Sequence, residues 1–279
     1  MGEPRDVCLR RRRRHSRPEV DRAFEEGDTS GPEGTGPGLA IVGQIAAAHG
    51  REAAVTESEP GTRFEFSATG IQAAAGPRPP VDRNELRRAW DEVAETYAKR
   101  RDPDGSDATL IDDLLATLPA EPVVLDVGPG DGARTLANLP AGSVGVDISR
   151  RGLELAAETV PDARLLQGEM SQLPLGDDTV DGITAYHAVF HVQRERHPAV
   201  YAEFTRVLRP GGWLLMTLPS GRFETVRRGW MGGSMFFSAP GRERTLSSLR
   251  EAGFETLRTE TADDPLGSST EFVFAQVAP

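Results

Sequence analysis

The segment VLDVGPGDGA, Val124 to Ala133, sets three glycines directly behind a run of apolar residues. Without a Cβ, Gly128, Gly130 and Gly132 let the backbone turn tightly and let a ligand approach it. Nineteen residues after Gly128, Asp147 closes the next apolar run, SVGVDI. A carboxylate there can accept both hydroxyls of a ribose, so strand, turn, helix, strand and acid together point to an adenosine cofactor. Further on, YHAVFH places His187 and His191 four residues apart. Either can take a proton from an acceptor or contact it, and the alternative is packing or helix capping. The i, i+4 spacing also suits a metal pair, but no glutamate or third ligand stands nearby, so no metal is expected.

These residues need a frame. Beyond about residue 80 apolar strands alternate with helices: helices at about Glu85 to Arg100 and Asp107 to Leu118, the strand PVVLDV, the glycine turn with a short helix, then SVGVDI. A helix Arg150 to Thr159, strands ARLLQG and TVDGITAY, a helix Pro198 to Leu208, the strand GWLLMTL, a helix Arg242 to Ala252 and strands FETLRTE and EFVFAQV complete it. Such alternation implies a parallel sheet covered on both faces. One stretch, FETVRRGWMGGSMFFSAP, interrupts it; Trp230, Met231, Met235, Phe236 and Phe237 there read either as an apolar substrate lid or as core.

The chain has 279 residues, 38% hydrophobic and 27% charged, with a net charge of −11 and one cysteine, Cys8. A sizeable core is possible, whereas intramolecular disulfides and a cysteine-rich zinc site are not. The acidic balance argues against nucleic acid as a partner. No apolar run reaches the length of a membrane span and no signal peptide is evident, so no membrane partner and a cytoplasmic location are expected. Residues 1–19, with arginines at 10–14, read as a disordered basic segment, or alternatively as an arm for nucleic acid or a membrane surface. Residues 70–84, rich in Gly, Ala and Pro, read as a linker.

A second glycine turn, GTGPGLAIVGQIAAAHG, precedes a helix at Leu39 to Ala48 and an extended pair, EAAVTESEP and TRFEFSA, turning at Pro60 and Gly61. With Phe24 upstream and Gly34, Gly36 and Gly38 in the turn, residues 20–69 resemble the last part of the ATP-binding domain of sensor histidine kinases. The resemblance implies an ATP lid. The magnesium-binding asparagine helix and the adenine-binding DxGxG turn of that family have no counterpart before residue 20, and Pro37 removes a backbone donor from the loop. The fragment therefore reads as truncated, and ATP binding is not expected.

Residues 85–279 resemble the class I S-adenosylmethionine-dependent methyltransferases, closest to the small-molecule type 11 branch. The resemblance rests on VLDVGPGDGA, Asp147, LLQGEMSQLPL, DDTVDGITAYHAVFHV and LRPGGWLLMT, in that order. It implies an α/β, Rossmann-like seven-stranded sheet with helices on both faces, preceded here by a short partial α/β fragment and the basic N-terminus. It also implies S-adenosyl-L-methionine as cofactor. Carried over, Gly128 and Gly130 would lie against the methionine and ribose portion, Asp126 would help hold the amino group, and Asp147 would bind the ribose. Glu169 would stand beside the adenine amine, or else be a solvated loop acid. Tyr97, in WDEVAETYAKR, would close over the cofactor, or else pack its helix. His187 and His191 fall where the acceptor meets the methyl group. The function expected is methyl transfer to a small molecule; the alternatives are a signalling protein built on residues 20–69 and an RNA methyltransferase.

Overall fold

A computed structural model describes residues 51–58, 61–68, 82–102, 104–263, 266–267 and 269–279. The arginine run, the histidine-kinase-like glycine turn and the helix expected at Leu39 to Ala48 lie outside them. The chain divides into two compact units, Met1–Arg78 and Pro79–Pro279. In the first, β1 (Arg51–Ser58) and β2 (Gly61–Ala68) pair antiparallel as the sequence suggested. Gly61 pairs with Ser58 and so opens the strand rather than making the turn.

The second unit begins with α1 (Arg83–Arg100), two residues earlier than expected. Asp82 caps it, its carboxylate accepting the backbone N–H of Asn84 at 2.6 Å and of Glu85 at 3.3 Å. Then come α2 (Ala108–Leu115), β3 (Val124–Val127), β4 (Val144–Asp147), α3 (Arg150–Thr159), β5 (Arg164–Gln167) and β6 (Val180–Ala185). These are followed by α4 (His197–Val207), β7 (Leu208–Leu218), β8 (Arg222–Trp230), β9 (Gly233–Pro240), α5 (Arg242–Glu251), β10 (Phe254–Asp263) and β11 (Ser269–Val277). The short helix expected after the glycine turn is a single 3-10 turn, Leu136–Asn138.

Seven strands form one sheet in the order β10-β11-β7-β6-β3-β4-β5. The five from β7 to β5 run parallel; β11 lies antiparallel to β7, and β10 to β11. β3 and β6 are buried along their whole length, which is why they read as unbroken apolar runs. One core packs Val200, Tyr201 and Phe204 of α4 and Leu246 and Leu249 of α5 with the central strands. A second gathers Leu110, Ile111 and Leu114 of α2 with Phe272 and Phe274 of β11.

The stretch that interrupted the alternation is a hairpin, β8 with β9, forming its own two-stranded sheet. Met235, Phe236 and Phe237 of β9 are buried, and Trp230 and Met231 are half-buried. Met235 and Phe237 meet Val93 of α1 in a third, smaller core. No helix among the described residues is long and apolar enough to cross a membrane.

Candidate functional site

After β3 the chain lays β4 and β5 to one side, then returns to place β6 on the other. At such a reversal the connections leaving the strand ends part and open a crevice. The cavity lies there, at the C-terminal ends of β3, β4 and β6, with one face of α1 as its far wall. That face is a stripe of Leu86, Trp90, Ala94, Tyr97 and Arg101, spaced by four or three residues as a helix requires.

The glycine turn forms the floor. Gly128, Gly130 and Gly132 have φ of +75°, +57° and +78°, a region that costs a residue with a Cβ about 1–2 kcal/mol. A Cβ on Gly128 would sit 2.8 Å from the Ala188 side chain, whereas one on Gly130 would enter open space. The backbone N–H of Gly130 donates to Asp147 Oδ2 at 3.0 Å, and that of Ser149 to Oδ1 at 2.7 Å. Each oxygen keeps a lone pair that can face the cavity. Withdrawal from water raises the Asp147 pKa to about 6, partly offset by those two donors. The open space at Gly130 and the strand-tip carboxylate together fit a ribose-bearing cofactor.

Asp126 stands elsewhere. It is 1% exposed and lies beneath the cavity, off its lining. Its carboxylate accepts the hydroxyls of Thr135 and, at 2.8 Å, Thr184. Burial raises its pKa to about 6 as well. The carboxylate expected to reach the amino group is thus spent on two threonines. Glu169 lines the cavity as expected, but it is ion-paired with Arg83 at the start of α1 and, at 3.0 Å, with Arg196, and it accepts the Ser171 hydroxyl at 2.6 Å. It is not a solvated acid; it ties α1 to the rim.

The two histidines part company. His187 follows β6 with φ +51°, a strained setting for a residue with a side chain, and its backbone N–H donates to the Thr217 hydroxyl at 2.8 Å. His191 also lines the cavity, yet its ring is locked. Nδ1 lies 2.8 Å from the Phe236 carbonyl, and the rings of Trp90, Phe190 and Phe237 stand 4.7, 4.7 and 4.8 Å away. Burial lowers its pKa to about 3, so it is a neutral part of the wall and a poor base. No three His, Cys, Asp or Glu side chains among the described residues are grouped to hold a metal.

Tyr97 lines the cavity inside an aromatic cluster, 5.8 Å from Trp90 and 5.6 Å from Trp230 between ring centroids. α1 is fastened over the site by Asp91, whose Oδ1 accepts the Ser149 hydroxyl at 2.8 Å and the Arg151 N–H at 3.1 Å. Sequence reasoning missed Trp90, Asp91, Arg101 and Asp131. The helical stripe in WDEVAETYAKRR carried the signal for Trp90 and Arg101; nothing comparable marked Asp131.

Comparison with known proteins agrees with this geometry. The methyltransferase-domain family matches residues 125–216. A phthiotriol/phenolphthiotriol dimycocerosates methyltransferase of Mycobacterium ulcerans is 36% identical over 34% of this chain and 36% of its own length. A tRNA (carboxymethyluridine(34)-5-O)-methyltransferase of Arabidopsis thaliana is 23% identical over 58% of this chain and 39% of its own length. The chain therefore spans roughly two-fifths of either relative. Among solved structures, a Burkholderia thailandensis 1,6-didemethyltoxoflavin-N1-methyltransferase shares the fold with a TM-score of 0.55 and 18% identity, over 82% of this chain and 96% of its own. Residues 125–216 thus match a methyltransferase domain, and the glycine turn, strand-tip acid and seven-stranded sheet around them are similar to those of S-adenosylmethionine-dependent methyltransferases.

Proposed function

We propose that the chain transfers a methyl group from S-adenosylmethionine to a small-molecule acceptor. The observation that carries this reading is Asp147, a carboxylate at a strand tip beside a turn with open space at Gly130, facing a cavity closed by aromatic side chains. The cofactor supplies an electrophilic methyl group on a sulfonium. Asp147 accepts the ribose hydroxyls, Gly128 and Gly130 let the backbone lie against the bound molecule, and Tyr97 covers it from α1. Glu169, held by Arg83 and Arg196, closes the adenine end.

Transfer is a direct displacement, and holding the two reactants in line supplies roughly 7–11 kcal/mol of the barrier. Trp90, Tyr97 and His191 keep water out and present ring faces and edges to a centre that loses charge as it reacts. His187, at the tip of β6, positions the acceptor or receives its proton. A small molecule is favoured over RNA because the chain carries a net charge of −11. The relatives' names, one on a lipid and one on tRNA, leave that choice to experiment.

Calorimetry tests the reading. Asp147→Ala removes two hydrogen bonds to a charged group, each about 1.5–3 kcal/mol, so affinity for S-adenosylmethionine should fall about a hundredfold or more. Unchanged affinity in a folded variant would sink the assignment. Incubation of small-molecule extracts and of tRNA with methyl-labelled cofactor then decides the acceptor class, and label appearing in tRNA alone would overturn the small-molecule reading.

A further inference from the structure

The backbone of His187 is strained. Its φ of +51° is a left-handed setting that a residue with a Cβ seldom adopts. Such a setting persists only where the surroundings over-determine it, and here the chain is pinned at three successive residues. Tyr186, 6% exposed, donates its phenolic O–H to the Asp107 carbonyl at 2.9 Å. Ala188 sets its Cβ against Gly128, in space that a side chain there would need. Between them, the His187 N–H donates to the Thr217 hydroxyl at 2.8 Å.

That last anchor acts on the strained residue itself. The ladder between β6 and β7 ends at the pair Ala185 and Met216, where the chain leaves the sheet. Thr217 is the next residue of β7, and its side chain supplies the acceptor that the ladder no longer provides. It is 4% exposed, so little water competes for the bond. Phe272, paired with Thr217 across β7 and β11, stands edge-on to the His187 ring with centroids 6.0 Å apart. One position of the sheet therefore fixes His187 twice, Thr217 at its backbone and Phe272 at its ring.

The angle φ sets the direction in which a side chain leaves the backbone. Returning His187 to an ordinary negative φ would swing its Cβ, and the imidazole with it, about the N–Cα bond. A displacement of about 1 Å near the reacting atoms can cost about 10²-fold in rate. We propose that Thr217 is a positioning residue for methyl transfer: its hydroxyl holds His187 in the left-handed setting that aims the imidazole at the acceptor. The inference rests on the role given to His187 above. Thr217 lies off the cavity lining, so it acts through His187 and touches neither reactant.

The experiment compares, in the full chain, Thr217→Val, which keeps the shape and drops the hydroxyl, with Thr217→Ser, which keeps the hydroxyl. Proton–carbon NMR of the imidazoles, with the His187 signal assigned by its loss in His187→Ala, reads the ring without any acceptor. Thr217→Val should move the His187 signal and leave those of His191 and His197 in place; Thr217→Ser should keep it near its wild-type position. Label transfer from methyl-labelled S-adenosylmethionine into small-molecule extract should fall roughly 10- to 100-fold in Thr217→Val and recover in Thr217→Ser. Calorimetric affinity for the cofactor should not change. In a His187→Ala background Thr217→Val should cost nothing further.

An unmoved His187 signal in Thr217→Val overturns the proposal. So does an equal fall in label transfer with and without the His187 imidazole, which shows a merely structural role. If Thr217→Val does not fold, Thr217→Ala takes its place, and failure of both to fold overturns the proposal as well. Label transfer that survives His187→Ala refutes the role given to His187 and the proposal with it, whereas loss there without loss in Thr217→Val refutes the proposal alone.

Discussion

The two ends of the cavity are built on different principles. The cofactor end is backbone: a turn with three left-handed glycines, and a carboxylate fixed by two N–H groups of the chain that surrounds it. The end proposed to take the acceptor is side chain: Trp90 from α1 and His187 and His191 after β6 line it, with Trp230 and Phe237 of the hairpin and Phe190 packed against their rings. A backbone cradle constrains which residues can occupy each position and so leaves a spaced pattern in the sequence. An aromatic wall needs only bulk and flatness, which several residues from several segments can supply. The first kind of site conserves a cofactor's shape; the second is free to change acceptors.

The largest expected effect separates the two histidines that the acceptor end contains. If His187 receives or steers a proton, His187→Ala should lower turnover by roughly 10²- to 10⁴-fold with little change in cofactor affinity. His191→Ala should act on the fold, removing a ring packed among three others and orphaning the Phe236 carbonyl, at about 3 kcal/mol. His191→Phe, which restores the packing, should regain most turnover. Steady-state kinetics on labelled cofactor and urea denaturation of each variant check both halves, and a His191→Phe protein that folds yet is inactive would reverse the assignment.

That contrast matches how much could be read beforehand. Residues with a backbone job, Gly128, Gly130 and Asp147, were legible because strand, turn and acid recur at fixed spacing, and so was the seven-stranded sheet, whose buried strands are continuous apolar runs. Asp126 misled because the same segment offers two acids, Asp126 and Asp131, and only tertiary packing decides which one faces the cavity. The hairpin is not legible because β9 is buried at five successive positions, Met235 to Ala239, while β8 has no fully buried residue, so neither strand shows a simple alternation. His187 and His191 could not be told apart, since what distinguishes them, a strained φ and an aromatic surround, comes from elements far away in the chain.

A smaller effect sharpens the claim that the cofactor end is made of backbone. Gly128→Ala combines a left-handed residue with a 2.8 Å clash against Ala188, together about 3 kcal/mol of lost stability. Gly130→Ala incurs the conformational cost alone, about 1 kcal/mol, because its Cβ meets nothing within 4 Å. The order should invert for ligand: the Gly130 methyl enters the space a bound cofactor needs, so this better-folded variant should bind S-adenosylmethionine more weakly. Urea denaturation and calorimetry on both variants read the two orders, and parallel losses would mean that the turn is a folding device rather than a cradle.

The smallest effect is on pH, and it too divides the cavity floor in two. Asp126 and Asp147 both have pKa values raised to about 6 by burial, above the ordinary carboxylate value of 3.8. A carboxyl whose folded pKa lies above its unfolded one stabilises the fold at low pH, and that contribution is lost as pH rises through about 6. Between pH 5 and 7 the ligand-free protein should therefore lose stability from these two groups as pH rises. Cofactor affinity should run the opposite way. Below about pH 6 Asp147 must give up a proton to accept ribose hydroxyls from both oxygens, so affinity should fall by up to about tenfold per pH unit there and stay flat above. Asp126, off the cavity lining, contributes to the first slope and not to the second. Asp126→Asn should roughly halve the stability slope, leaving the share due to Asp147, while keeping the affinity profile in place, as read by urea denaturation at pH 5 and 7 and calorimetry from pH 5 to 8. An affinity profile that disappears with Asp126→Asn would put that carboxylate back in contact with the ligand, and the division of labour between the two acids would fail.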